Sequence, residues 1–453
     1  MFRWILGGRE AQSSVEKSPV LCIGEEQPKN WFTELQVLKG HFDIVRFLVQ
    51  IDDFRCASAG DDGLILVWNI ETGERLQELR GHSQQITAMT TFSCSDGLVS
   101  HPSLISASSD RSVSLWDPDT GNRVQTISDL QSSVKCLLVL ERLCLWVSGG
   151  EELCLWNRDF QLQCQKQSHS DTGITALIEL PKNCMAAAMD KEIMIYRLTV
   201  APDSSLTVAE LRCLSDHQDQ VRALINVSDG LFASGSHAGE LILWDAIDWN
   251  ILAYEHILWE ESQSPAQAEI RLGAPKPSEM SIQQLSTNGK VLILAAVGSG
   301  LYVYSVLTKT VVAYRKVAHD SNVLHTMLLS DRSEVMSCSE DGSVRMWEIQ
   351  DLPLPAEPAS PGFFGLWNFG RSNKQSGPPK KIMDVPNIRT LELTGDLIGH
   401  SGAVQMFVSF KENGLVTCSA DHLLILWKNG ERQSHRRSLA LFKKLEENGG
   451  LVR

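Results

Sequence analysis

Serine, histidine and aspartate recur together in this chain, and they are the residue types of a nucleophile, its general base and the carboxylate that orients the base. The first such group is His41, Ser58 and Asp62, followed by Trp68. The set returns as His82, Ser106, Asp110 and Trp116, and as His319, Ser337, Asp341 and Trp347. With threonine for serine it returns again as His400, Thr417, Asp421 and Trp427. In each copy the Asp follows Ser or Thr by four residues and precedes Trp by six. Repetition argues against hydrolysis. A nucleophile is singular and lies open in a cleft, whereas a group copied four times, each with an indole donor, reads as a buried hydrogen-bond chain between strands. Each bond in such a chain contributes about 1 kcal/mol net. The groups are read as structural tetrads, with no catalytic residue, and the chain is expected not to be an enzyme.

The elements that must carry these groups follow from the same pattern. Around each group lie a short apolar strand, a Ser/Thr-rich strand, an Asp in a tight turn, and alternating apolar residues that end in an aromatic. The copies end at Trp68, Trp116, Trp156, Tyr196, Trp244, Tyr304, Trp347 and Trp427. Most intervals are 40 to 48 residues, with one of 60 and one of 80. A four-stranded antiparallel sheet with apolar residues at period two cannot bury its surface alone, so the sheets must close into a ring. The expected fold is all-β, an eight-bladed β-propeller. Glu34 to Leu38 precedes the first Gly-His as an outer strand would, and nothing strand-like follows Trp427-Lys428-Asn429-Gly430. The N-terminal strand is therefore expected to complete the last blade, which removes an open edge.

Four copies are eroded. The third, Ser148-Gly149-Gly150-Glu151-Glu152-Leu153, is two residues short before Trp156 and lacks a preceding Gly-His. The fourth keeps Asp190 but has Ala186 and Tyr196. The fifth has His217, Ser234 and Trp244, with Ala238 where Asp belongs, and the sixth, Ala295 to Tyr304, keeps only the strand pattern. In a closed ring the intact copies form one continuous half, and the other half is expected to be looser in hydrogen exchange.

The bulk properties narrow the partners. The chain has 453 residues, 43% of them hydrophobic, and a formal charge of -14. That charge repels phosphate backbones and anionic lipid, so nucleic acid is not expected as a ligand. Met1 to Gly8 offers only Trp4-Ile5-Leu6 as an apolar run, too short for a signal-peptide core. Phe2 excludes the myristoylation pattern, and no stretch is long enough to span a bilayer. The expectation is a cytoplasmic protein without direct membrane insertion. Eleven cysteines with no C-x-x-C pair read as reduced core residues, with no metal site and no cofactor.

The domain reading is a flexible segment over 1–33, a propeller over 34–430, and a C-terminal amphipathic helix and tail over 431–453. Within blade seven, 351–388 holds seven prolines and is expected to be a long loop, after which Arg389-Thr390-Leu391-Glu392-Leu393 resumes as the blade's outer strand. This loop carries Phe363, Phe364, Leu366, Trp367 and Phe369, flanked by Arg371, Lys374, Lys380 and Lys381. Its four aromatics present about 600–1,000 Å² of apolar surface, more than the roughly 300–600 Å² of the largest patch on an ordinary monomer. The loop either folds back on its own blade or docks a partner, and docking is favoured because loops on rigid scaffolds carry binding. A helix is expected over Ser434 to Asn448, with Leu439, Phe442 and Leu445 as its stripe and Arg436 beside it, packing on the ring or on a partner. Leu258 to Met280 reads as a mobile loop and Arg9 to Asn30 as disordered.

The repeats resemble the WD-repeat family over about Glu34 to Gly430. The segments GFFGLWNFG from Gly362, SEDGSVRMWE from Ser339, GDLIGHS from Gly395, TCSADHLLILWKNGER from Thr417 and LFKKLEENG from Leu441 resemble one branch of that family. The similarity runs along essentially the whole chain. It implies the propeller subunit of a complex with two longin and DENN-domain proteins, the Smith-Magenis syndrome candidate protein and the chromosome-nine open-reading-frame protein. It further implies action on small GTPases through those partners, roles in autophagy and nutrient signalling, and peripheral recruitment to lysosomes. The recruiter it implies is a lysosomal cationic amino-acid transporter of the PQ-loop type, for which the aromatic loop is the natural contact. The main alternative is a substrate receptor of a cullin-type ubiquitin ligase. Such receptors often carry Trp-Asp-x-Arg, but the copies here read Trp116-Asp117-Pro118-Asp119 and Trp244-Asp245-Ala246-Ile247. A phosphoinositide-binding propeller would need Phe-Arg-Arg-Gly, which Phe54-Arg55-Cys56 only approaches.

Overall fold

Short, β-branched and alternating segments form strands here, and turns rich in Gly, Asp and Asn separate them. A computed structural model of the chain describes residues 31–93, 102–200, 206–257, 280–329, 334–350 and 389–447. Its strands fall into eight four-stranded antiparallel units. Blade one is Val45–Gln50, Arg55–Gly60, Ile65–Asn69 and Arg75–Leu79, running from inner to outer strand. Blades two to six follow in order within 86–127, 136–167, 174–214, 221–256 and 282–315. Blade seven ends in the outer strand Arg389–Ile398, which pairs with Ser343–Gln350 across the intervening residues 351–388. Blade eight takes its outer strand from the start of the chain: β1 (Glu34–Leu38) pairs with Leu424–Lys428, from Glu34 opposite Lys428 to Leu38 opposite Leu424. Each inner strand touches the next, and Val404–Ser409 of blade eight touches Val45–Gln50 of blade one, which closes the ring. The fold is the eight-bladed propeller expected from the repeat.

The hydrophobic core is divided among eight seams. One apolar cluster lies between each neighbouring pair of blades, the pair formed by blades eight and one included. Each blade therefore buries both faces, and second strands such as Arg55–Gly60 and Leu145–Gly149 are almost wholly buried. Blades six and seven are joined further by parallel pairing of Ala313 with Arg389 and Tyr314 with Thr390. Blade six, the least repeat-like in sequence, is nonetheless a regular four-stranded sheet. Cys56, Cys154, Cys184, Cys338 and Cys418 are free thiols in the core, whereas Cys144 stands in a disulfide and departs from the expected fully reduced set.

The tetrads join the strands within blades. In blade one the Trp68 indole donates to Ser58 Oγ (2.8 Å), Ser58 Oγ lies 2.8 Å from His41 Nε2, and His41 Nδ1 lies 2.8 Å from Asp62. Asp62 also accepts the backbone N–H groups of Phe42 and Leu64, which fixes two turns at once. His82, Ser106, Asp110 and Trp116 repeat this chain with distances of 2.8–3.2 Å. So do His319, Ser337, Asp341 and Trp347, and His400, Thr417, Asp421 and Trp427.

Blade five corrects the reading of an eroded copy. Glu240, two residues beyond Ala238, lies 3.2 Å from His217 Nδ1 and accepts bonds from Ser236 Oγ (2.7 Å) and the Gln218 N–H (3.0 Å). Tyr254 on the outer strand donates to the same carboxylate at 2.6 Å. The longer side chain spans the gap left by the missing aspartate, so the network is rebuilt and extended to the fourth strand. Blade three keeps half of it, with Trp156 donating to Ser148 at 2.9 Å. Blades four and six bury Tyr196 and Tyr304 in the tryptophan's place, and the Tyr304 hydroxyl has no hydrogen-bond partner. The blades without a complete network are thus three, four and six, not a continuous half.

Burial sets the direction for the histidines of these networks. It holds His82, His217 and His400 below the ordinary histidine value, against the pull of Asp110, Glu240 and Asp421 respectively. Burial alone would raise the aspartates. The hydrogen bonds of Asp62, Asp110, Asp341 and Asp421 outweigh it and leave all four below the usual carboxylate range.

Two outcomes follow from this arrangement. Glu240→Ala leaves the His217 N–H and the Tyr254 hydroxyl without their acceptor and should cost about 1–3 kcal/mol in denaturant unfolding; wild-type blade five should show hydrogen-exchange protection close to that of blade two and above that of blade four. Acidification should lower the melting temperature in two steps. The depressed histidines stabilise fully above the unfolded value of 6.5 and lose that contribution as pH falls below it. The depressed aspartates lose theirs only below 3.8, so a scanning melt from pH 7 to 3 should show both declines.

Candidate functional site

The chain leaves the ring where the third strand of blade eight ends. Asn429 begins a helix because its side-chain oxygen accepts the Arg432 N–H at 3.0 Å, while its carbonyl accepts the Gln433 N–H at 3.0 Å. The helix, α1, spans Gly430–Glu447 and starts four residues earlier than the apolar spacing indicated. Its length is about 27 Å at 1.5 Å per residue. The first two turns are tied to the ring. Gly430 N–H donates to Thr33 Oγ1 at 3.0 Å, Arg432 pairs with Glu412 at 2.6 Å, and Arg437 makes a two-pronged contact with Glu34, both distances 3.0 Å.

Beyond Arg437 the stripe of the helix is more than half exposed among the described residues. Leu439, Leu441 and Phe442 are 55%, 59% and 63% exposed, and Arg436 is exposed beside them. The side chain of Leu445, the next step of the stripe, lies outside those described. Leu439 and Phe442 are thus not buried against the ring. Fully burying a side chain of this size is worth about 1.5–3 kcal/mol, and with more than half of each surface exposed much of that gain is left unrealised. Beside the helix, β1 adds exposed Leu35 and Val37 and, just before it, exposed Trp31.

Charge at the helix base is paired. The Arg437 hydrogen bond holds the Glu34 carboxyl below its ordinary range, against a smaller effect of burial, and Glu34 in turn raises Arg437. Burial pushes Lys428 down, and its ammonium donates to the Glu71 carbonyl of blade one at 2.6 Å.

The aromatic loop is the second candidate. Phe363, Phe364, Leu366, Trp367, Phe369 and Arg371 lie outside the described residues. Its two roots are described: Gln350 and Thr390 pair directly, so the segment leaves and re-enters blade seven at one point. That point is the far end of a third strand, as is the start of α1 on blade eight. Third strands of successive blades run in the same direction around a propeller. Both appendages therefore leave one face of the ring from adjacent blades, opposite the face that carries the tetrad turns. Among the described residues no group of three His, Cys, Asp or Glu is placed to hold a metal, and no helix is long and apolar enough to cross a membrane.

Comparison with known proteins agrees with this architecture. The human WD repeat-containing protein 41 is 55% identical over 458 residues, covering 100% of this chain and 99% of its own length. The mouse protein of that name is 53% identical with the same coverage. Among solved structures, the computationally designed Ika8 protein matches with a TM-score of 0.61 at 20% identity, covering 86% of this chain and 98% of that one. Sqt1 of Chaetomium thermophilum, bound to the N-terminus of the ribosomal protein L10, matches at 0.62 and 15% identity, covering 88% and 100%. These two likenesses concern the fold alone. The family described as the WDR41 β-propeller matches residues 1–437, and together with the full-length relatives this places the chain in the WDR41 family of WD-repeat propellers.

Proposed function

We propose that this propeller is a non-catalytic adaptor subunit that holds two longin and DENN-domain proteins in a complex acting on small GTPases. In this reading it also brings that complex to the lysosome surface, in autophagy and nutrient signalling. The observation that carries the proposal is the uncovered stripe of α1, which stands on the same face of the ring as the roots of the aromatic loop. A rigid ring with a helix and the roots of a long segment on one side suits a bridging role better than a single-ligand receptor. Leu439, Phe442 and Leu445, with Arg436 at the rim, form the contact for a DENN-domain partner, docked as an amphipathic helix in a groove. Phe363, Phe364, Leu366, Trp367, Phe369 and Arg371 form the contact for the PQ-loop transporter. Attachment to the lysosome is peripheral, through that protein contact and without insertion of this chain into the bilayer.

Affinity purification of the full chain followed by mass spectrometry tests the proposal. Leu439→Ala with Phe442→Ala should weaken recovery of the DENN-domain proteins by at least about tenfold, the loss expected on truncating two anchors of an interface. Deletion of Phe363 to Phe369 should abolish lysosomal localisation while leaving the melting temperature and DENN-protein recovery unchanged. Recovery of cullin-ligase adaptors without DENN-domain proteins would overturn the assignment.

A further inference from the structure

Seven of the eight blades have an outer strand joined to the third strand by a covalent connection. In blade one that connection is a tight turn, closed by Asn69 N–H to Glu74 O (2.9 Å) and Gly73 N–H to Asn69 O (2.8 Å). Blade eight has no such link. Its third strand runs into α1, and its outer strand β1 arrives from the other end of the chain. An outer strand of five residues that lacks this covalent link is held at its start only by non-covalent contacts, among them Phe32 packed against the seam of blades seven and eight, and is the outer strand most prone to fray.

The contacts at the base of α1 occupy the place of the missing turn. Glu34, the first residue of β1, lies opposite Lys428, the last residue of the third strand. Gly430 N–H donates to Thr33 Oγ1, and the Arg437 guanidinium grips both oxygens of Glu34. These bonds run from the helix back to the open end of β1, as a turn's own bonds would.

We infer that α1 is a non-covalent clasp on ring closure, with the Arg437–Glu34 pair as its catch, so that β1 stays zipped to blade eight only while the helix base is seated. The inference does not depend on which partner takes the exposed stripe. It does make the helix a lever, because a ligand that tilts α1 acts on the one strand that joins the two ends of the chain.

Hydrogen exchange on the full-length protein tests this in a double-mutant cycle of Glu34→Gln, Arg437→Gln and the pair. Each single variant should exchange roughly two- to fivefold faster at the amides of Glu34 to Leu38, the range expected for loss of one exposed ion pair. The outer strand of blade one, Arg75 to Leu79, should not change. The double variant should be no faster than either single, since both remove the same contact. Unchanged exchange in the single variants would overturn the inference, as would equal acceleration at Arg75 to Leu79 or multiplied effects in the double variant.

Discussion

No sheet in this protein has a core of its own. The apolar residues of each blade are split between two faces, and each face is completed only by a neighbour, so the eight clusters exist together or not at all. Burial on both sides explains why the second and third strands lack polar alternation. It also explains why the seam between blades eight and one, where Val45 and Trp68 meet Leu38, Phe410, Val416 and Leu426, holds an apolar cluster like the other seams. Closure is a condition of folding, and the placement of both chain ends follows from it.

Within that constraint the hydrogen-bond chains pin individual blades. In each tetrad the indole donates to the hydroxyl, the hydroxyl is hydrogen-bonded to histidine, and the histidine is oriented by a carboxylate. The network tolerates a change of geometry where a carboxylate still reaches the histidine. Blade five satisfies it with a glutamate reached from a different position, and its tyrosine ties in a strand that the aspartate networks leave out. At Tyr304, which replaces tryptophan in blade six, the hydroxyl is stranded and packing holds the position.

The repeat, the blade boundaries and the closing strand were legible because they rest on local periodicity and on fixed spacing between residue types. Glu240 escaped because recognition by spacing looks for a carboxylate six residues before Trp244, whereas this one is four before it. The start of α1 was readable in principle, since Asn429 is a good helix cap, but the apolar spacing that marks the helix begins only at Leu439, nearly three turns later. The Arg437–Glu34 contact links positions 403 residues apart, and no local pattern announces it. The disulfide at Cys144 likewise depends on tertiary proximity. As for the candidate site, sequence identified α1's stripe, but only the structure shows that the ring leaves Leu439 and Phe442 uncovered.

Because α1 and the roots of the aromatic loop rise from neighbouring blades on one side of a stiff disc, whatever they hold is held close together. Two ligands tethered to each other would meet their second site at a high effective concentration and gain avidity without any new contact. Two bulky, unlinked ligands would instead crowd one another there, while the reverse side of the disc stayed open to solvent.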